Sequence, residues 1–417
     1  MKDQYIKLDN IIVEKNRIEY CFTVSDKLRK FINYKNNMFL EFDEDIQAIP
    51  KSILAIPFVS NFIPLMWLTN STLWIKDIDR TYYDSLKRVK VAYQDMYPHY
   101  KFYGNLITGK TTNNIYNVER EAVQLFSGGL DAISTNIRID DKKPILINVY
   151  GWYKDKITSD KVFNSDKKNI GCFAKENNLD SKFIKSNFAT IIKASEVDKV
   201  YKRKLKDSWW HGLQHGMAFI GHAIPLAYKY KVKDIYISSS FPLGGIRKTC
   251  SSDPVVDIEI KYASGGVIHD GCELNRQDKI KLVVKKQKDI NKNYPLRVCS
   301  FNDINCCKCE KCFRTILGLI AEGADIKKFD FNIDTDIKEH FSTLMKEKIH
   351  LFGVERENNI HWPDIKKRMI ENEKNIIEQD FVKWFLNYDF IKNKKKAVIK
   401  YRIKNFIPLV KKRLMGE

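Results

Sequence analysis

A short apolar run, Val123–Phe126, stops at Ser127-Gly128-Gly129 and passes into Leu130-Asp131-Ala132. A junction of this kind constrains the fold because it reads as a buried strand turning tightly into a helix. The downstream segments repeat the theme. Pro144–Tyr150 reads as a strand, Asn164–Asn177 as a helix, Ser181–Lys185 as a strand, Gly212–Tyr230 as a long helix and Asp234–Ser238 as another apolar strand. Strands separated by helical stretches of this length imply βαβ units, hence an α/β fold with a doubly wound parallel sheet.

The Ser-Gly-Gly turn has a chemical consequence. The first N–H groups of a helix lack partners and the helix dipole favours negative charge there. Glycine also lets phosphate oxygens approach the backbone. Ser127, Gly128, Gly129 and Leu130 are therefore candidate phosphate ligands, and Asp131 is placed to help hold Mg²⁺ on a bound nucleotide. An ordinary strand-to-helix turn would have the same composition. Ser238, at the end of a later strand, is expected on the same edge of the sheet and is a candidate nucleotide contact.

Nine cysteines are present, and five fall between Cys299 and Cys312. The spacing Cys299-x6-Cys306-x2-Cys309-x2-Cys312 offers four thiolates on a tight knuckle, the number and softness that tetrahedral Zn²⁺ prefers. An iron–sulfur cluster also takes four cysteines, and Cys307 is an alternative to Cys306. Four protein ligands close the coordination sphere, so the expected metal is structural. It should clip the segment before the apolar helix Phe313–Ala321. Cys21, Cys172, Cys250 and Cys272 are scattered and read as structural thiols.

Composition sets the limits. The 417 residues are 44% hydrophobic and 12% aromatic, as in a folded globular protein. No export signal is legible, so a reducing, cytoplasmic setting is expected. The apolar stretch Ile53–Thr69 is broken by Pro57, Asn61 and Pro64 and reads as a buried core element, not a membrane span. The net charge of +20 leaves nucleic acid open as a partner on charge alone. Much of the excess sits in Lys392–Arg413, with ten basic and no acidic residues, and no nucleic-acid-binding module is recognisable. Three regions are expected: 1–118, an N-terminal α+β domain; 119–325, the nucleotide domain with its zinc knuckle; and 326–417, basic helices.

Between the two motifs, Trp209-Trp210-His211-Gly212-Leu213-Gln214-His215 opens the long helix. His211 and His215, four apart, share a face. Helix-start contacts to nucleotide or substrate compete here with simple packing of the tryptophans. His269, Asp270, Glu273 and Arg276 form a further candidate patch for orienting a nucleophile or clamping a carboxylate. Glu273 and Arg276 are also spaced for a surface ion pair.

Ser127–Ala132 is similar to the SGGxDS signature of the PP-loop ATP pyrophosphatases (adenine nucleotide alpha hydrolase-like enzymes), with Ala132 in place of the usual Ser. Together with the late C…CxxCxxC knuckle and Arg314 just after it, residues 120–320 resemble the 7-cyano-7-deazaguanine synthases. The chain looks like the enlarged members found in antiviral defence or surface-polysaccharide loci. The resemblance implies an ATP- and Mg²⁺-dependent carbon–nitrogen ligase. A carboxylate such as 7-carboxy-7-deazaguanine is adenylated, pyrophosphate leaves, and a nitrogen nucleophile captures the acyl group. Asp131, Arg314, His269 and Asp270 are the implied catalytic residues, with Zn²⁺ held by the four cysteines. In such relatives the substrate can be a protein or peptide, and a homodimer is compatible with the sequence. Two other readings stand beside this one: a nucleotide-binding scaffold subunit that has lost catalysis, and an RNA-modifying enzyme of the same superfamily.

Overall fold

The computed structural model describes residues 4–151, 156–243, 249–299, 304–352 and 361–414. The chain forms two compact units, 1–243 with 247–273, and 244–246 with 274–417. The first contains one eleven-stranded sheet: β1 Tyr5–Val13, β2 Arg17–Val24, β3 Met38–Phe42, β4 Thr72–Asp79, β5 Asn105–Thr112, β6 Arg120–Leu125, β7 Ile145–Tyr150, β8 Ser181–Ser186, β9 Val232–Ser238, β10 Lys261–Tyr262 and β11 Gly265–Asp270. Their order across the sheet is β10-β11-β9-β6-β7-β8-β3-β2-β1-β4-β5.

The five strands β8-β7-β6-β9-β11 are mutually parallel. Central parallel strands are covered on both faces and need no polar side, and β7 is buried at all six positions. The chain runs outward from β6 through β7 to β8, then crosses back to β9 on the other side of β6. That reversal is the topological switch point at which α/β sheets open a crevice beyond their carboxyl ends. The α/β architecture with parallel strands expected from the sequence is present in this half of the sheet.

The boundaries expected at 118 and 325 do not appear as unit boundaries. Residues 4–118 contribute β1–β5 to the same sheet, joined through antiparallel pairing of β3 with β8, Leu40 opposite Ser186. The second unit begins at about 274, so the cysteine knuckle belongs with the C-terminal helices and not with the Ser127–Ala132 loop. The physical reason is pairing between distant segments, which no local motif signals.

Helices of eight residues or more in the first unit are α1 Ile56–Thr69, α2 Arg80–Met96, α3 Leu130–Arg138, α4 Lys156–Glu176, α5 Ala194–Leu205 and α6 His215–Lys229, the last preceded by a π turn at Trp210–Gln214. The apolar window Lys51–Thr69 is long enough to cross a membrane but is buried throughout inside the unit. Every residue of α1 is buried, and it packs on α6. Asn61 can sit in this helix because its amide is fully used. It donates to the Phe188 carbonyl (3.1 Å) and accepts from Gln214 Nε2 (3.0 Å), and Gln214 in turn accepts from Trp209 Nε1 (2.6 Å). A buried amide without these partners would be strongly unfavourable.

The second unit is helical among the described residues: α7 Arg276–Ile290, α8 Glu310–Ala321, α9 Ile337–Lys348, α10 Trp362–Glu371, α11 Gln379–Asn387 and α12 Phe390–Leu414. Phe313 anchors its core against Phe341, Phe352 and Trp362, with ring centroids 4.5, 5.9 and 5.8 Å away. Arg368 forks onto the carboxylate of Glu322 at 2.9 and 2.8 Å, tying α10 to the end of α8. The basic α12 is exposed at Lys392, Lys395, Lys396, Lys400, Arg402 and Lys404, and side chains beyond Lys404 lie outside the described residues.

The packing of α6 is testable at two positions. A Cβ at Gly221 would stand 2.1 Å from Ser60 Oγ and 2.4 Å from Ser60 Cβ. Gly221→Ala should therefore lower unfolding stability by about 1–3 kcal/mol in urea titrations, with Ser60→Gly restoring part of it. Wild-type stability in Gly221→Ala would show that the helices are not this close. His222 is wholly buried between the Ala218 carbonyl (2.6 Å) and Ser186 Oγ (3.2 Å), and burial lowers its pKa to about 3. An unfolded imidazole titrates near about 6.5, so the unfolded state takes the proton first. This contribution to stability is full above about pH 6.5 and is lost as pH falls toward the folded value. Replacing His222 by Gln should flatten the stability–pH slope between about pH 6 and 4, and an unchanged slope would count against a neutral buried imidazole.

Candidate functional site

The Ser127–Ala132 loop lies at the sheet reversal. Pairing continues one residue past β6, with Phe126 N donating to the Ile147 carbonyl at 2.8 Å. Gly128 then takes φ 72°, a left-handed conformation that strains residues with a Cβ. Gly129, extended at φ −78° and ψ 170°, caps α3 without any side-chain capping bond. The loop is braced from below. Asn148 Nδ2 donates to the Phe126 carbonyl (3.0 Å), Gln124 Nε2 to the Ala132 carbonyl (2.6 Å), and Asn136 Nδ2 to Gln124 Oε1 (3.0 Å). Asp131 falls in the first turn of α3, and Ala132 is buried beneath it.

Across the crevice, the β6–β9 register puts Ser238 level with Phe126. Its hydroxyl is buried and has no hydrogen-bond partner. Ser239, next along, is committed to structure: its N–H donates to the Asp270 carbonyl and its Oγ to the Phe241 carbonyl, both at 2.8 Å. The loop and Ser238 thus form a small polar cradle at the switch point.

His269 and Asp270 end β11, the strand beyond β9, and each has partners of its own. His269 Nδ1 lies 2.8 Å from Asp257 Oδ2, and the two side chains are 2% and 0% exposed. Burial raises the Asp257 pKa against the opposing pull of His269 and of Ser252, whose Oγ donates at 2.7 Å. Asp270 accepts from Thr135 Oγ1 (2.8 Å) and Arg138 Nε (3.1 Å), fastening β11 to α3. Glu273 pairs with Arg138 at 2.5 Å and not with Arg276, whose Nη2 donates to Thr315 Oγ1 at 2.8 Å. Arg314 lies on α8 in the second unit, 3.8 Å from Glu310 one turn earlier.

The same carboxyl edge carries a cluster that sequence patterns did not assemble. A helix crossing from β8 to β9 runs antiparallel to the strands, so the start of α6 and its π turn lie at the strands' carboxyl ends. Asp207 brackets His211 Nδ1 at 3.1 and 3.0 Å and accepts from Thr249 Oγ1 at 2.6 Å. Cys250 Sγ stands 3.7 Å from His215 Nε2 and also interacts with His211. His215 Nδ1 faces the Trp210 carbonyl (2.8 Å) and Ser251 Oγ (2.9 Å). Trp209 is core, wholly buried, whereas Trp210 packs beside the His215 ring with centroids 5.7 Å apart. Cys250 and Asp207 were invisible as partners because they are 43 residues apart in sequence, and only the paired histidines hinted at a site.

In the second unit, Cys299, Cys306, Cys309 and Cys312 bring their sulfurs within 4.8 Å of one another. Tetrahedral zinc with bonds of about 2.3 Å needs sulfur–sulfur edges of about 3.8 Å. Cys306 and Cys312 are already 3.9 Å apart. Backbone N–H groups point at the sulfurs, Lys308 N to Cys306 (3.4 Å) and Cys312 N to Cys309 (3.5 Å), so Cys309 also caps α8. Cys307 turns away: it takes φ 53° and faces the Asn305 carbonyl at 3.8 Å, and burial pushes its thiol up to about 11. The four-cysteine set can hold zinc as a closed structural site, with Cys306 and not Cys307 as the member. Purified protein should carry about one equivalent of zinc, largely lost in Cys309→Ser and retained in Cys307→Ser. Metal analysis showing less than about half an equivalent in wild type, or equal loss in both variants, would contradict the assignment.

Compared with known proteins, the chain matches no protein-family model, no curated protein and no solved structure.

Proposed function

We propose that the chain is an ATP-using, carboxylate-activating enzyme of PP-loop type, a carbon–nitrogen ligase resembling the 7-cyano-7-deazaguanine synthases. The observation that carries this reading is the Ser127–Gly129 turn at the β6/β9 switch point, with left-handed Gly128, an uncapped helix start and the unpartnered Ser238 hydroxyl level with it. Backbone N–H groups at Gly128, Gly129 and Leu130 would hold the departing pyrophosphate, where charge develops. Asp131 would hold Mg²⁺, which supplies charge neutralisation on the phosphates when bound. A substrate carboxylate oxygen attacks the α-phosphorus, the bond to the β-phosphate bridging oxygen breaks, and pyrophosphate leaves. A nitrogen nucleophile then displaces AMP. The zinc knuckle is structural in this scheme.

Ala132 favours a second reading, a nucleotide-binding subunit without turnover. It lacks the hydroxyl found at this place in the PP-loop signature, and its side chain is buried. Pyrophosphate release from ATP, measured with 7-carboxy-7-deazaguanine and other acids in the presence of ammonia or an amine, separates the two. The expected result is acid-dependent release that falls to background in Gly129→Asp. ATP binding without release across the panel would favour the scaffold reading, and equal release in wild type and Gly129→Asp would sink the ligase reading.

A further inference from the structure

The strongest chemistry outside the nucleotide cradle is the group Asp207, His211, His215 and Cys250. A thiol becomes a nucleophile when a base lies within reach and a third group orients that base. Both conditions are met. Asp207 fixes His211 through Nδ1, which leaves Nε2 for the Cys250 side. Trp210 O accepts from His215 Nδ1, a contact that sets the tautomer and leaves the Nε2 lone pair facing the sulfur at 3.7 Å. Asp207 is itself held by Thr249, so the arrangement has an outer support.

The backbone is pinned as firmly as the side chains. Ser251 N donates to the His211 carbonyl (2.7 Å), Gly216 N donates to Ser251 Oγ (2.8 Å), and Tyr93 OH donates to the Ser251 carbonyl (3.1 Å). A Cβ on Gly216 would stand 2.3 Å from the Ser251 carbonyl oxygen, so glycine is required for this approach. These atoms do not form a metal set, because the only mutually close group of three or more such ligands among the described residues is the four-cysteine knuckle.

We infer that Cys250 is the nucleophile of an acyl-transfer site whose substrates are activated carboxyl groups, with His211 as its charge partner, His215 as its base and Asp207 as a positioning residue. The Cys250 thiolate attacks the acyl carbon, a C–S bond forms, and the C–O bond to the activating group breaks with the electron pair leaving on oxygen. A nitrogen nucleophile then attacks the thioester, C–N forms, C–S breaks, and the thiolate is restored. The proton shed by nitrogen passes to His215 Nε2 and on to solvent. Only the source of the acyl group, an acyl adenylate formed in the neighbouring cradle, rests on the proposed function; the thiol's reactivity does not.

The electrostatics agree with the geometry. Burial opposes the thiolate, but hydrogen bonding with His211 and His215 outweighs it and lowers the Cys250 pKa to about 6. The Asp207 hydrogen bond raises His211 to about 10, so its charge persists at neutral pH. The other ionisable groups that interact with Cys250 are Tyr93 on α2 and Tyr97, which caps its C-terminus; Asp253 and Asp257 face Tyr93 from the turn after Cys250. The two imidazoles are the hydrogen-bonding support of the thiolate.

The test uses the full chain with p-nitrophenyl acetate as an activated ester and iodoacetamide as an alkylating probe, without nucleotide. Peptide mapping should place a single acetyl group on Cys250, released on adding an amine, with a stoichiometric burst of p-nitrophenolate. Alkylation of Cys250 should be half-maximal near pH 6, well below the range of about 8.5 usual for a free thiol. Asp207→Asn should shift the Cys250 profile upward by about one pH unit or more, a roughly fivefold or greater loss of rate at pH 6. Cys250→Ser should lose both labels, while circular dichroism checks its folding. The inference is overturned if native wild type labels at Cys172 but not at Cys250, or if the Cys250 profile matches that of Cys172. Because no ATP is present, failure of the pyrophosphate assay and failure of this one are independent results.

Discussion

The parallel pairing of β6 with β9 is the constraint on which the first unit depends. Once these strands are neighbours, the chain leaving β6 and the chain leaving β9 must turn in opposite directions, and a crevice opens between them. Everything with chemical potential in this unit derives from that opening. The Ser127–Gly129 turn leaves β6, Ser238 ends β9, and the segment reaching Cys250 continues from β9. The crossover that makes the pairing possible also brings the start of α6, with His211 and His215, to the same edge. A parallel crossover is right-handed in nearly all proteins, so this convergence is a consequence of topology.

That crossover has to be buried to hold the strands, and the N-terminal residues do the burying. α1 lies wholly inside the unit against α6, close enough at Ser60 and Gly221 that no side chain fits between them. The Asn61–Gln214–Trp209 chain of hydrogen bonds joins the same two elements just before the π turn. It also fixes where α6 begins. A satisfied buried polar network specifies register as well as adding stability. The N-terminal 118 residues thus act on the site by holding the helix that presents the two histidines.

Local signals are legible in the sequence and distant pairings are not. Glycine at 128 and 129 marks the turn, and the positive φ of Gly128 gives the physical reason for it. The edges of β7 and β8 lie within a residue of the strands read at Pro144–Tyr150 and Ser181–Lys185, because alternation and continuous hydrophobicity are readable over short windows. The cysteine spacing locates the knuckle, since a metal site imposes its own local geometry. Non-local contacts leave no such trace. Nothing in residues 38–42 announces a partner at 184–186, which is why the sequence suggests a separate N-terminal domain. His269 and Asp270 read in the sequence as a patch for orienting a nucleophile or clamping a carboxylate, and their partners Asp257 and Arg138 come from distant segments that no local pattern signals.

The cysteines show how surroundings decide the role of one residue type. In the second unit four sulfurs crowd together with backbone N–H groups aimed at them, and no imidazole is among the four ligands. Thiolates that close to one another repel unless a cation neutralises them, so the arrangement makes sense as a ligand set. Cys307, one residue from that set, points at a carbonyl and is pushed toward the neutral thiol. Cys250 has the opposite environment, one sulfur between two imidazoles, one of them fixed by a carboxylate. A single thiolate beside a lasting positive charge needs no metal to be stable at neutral pH, and it keeps its lone pairs for an electrophile. Composition counts these sulfurs alike, and only their neighbours separate ligand, filler and nucleophile.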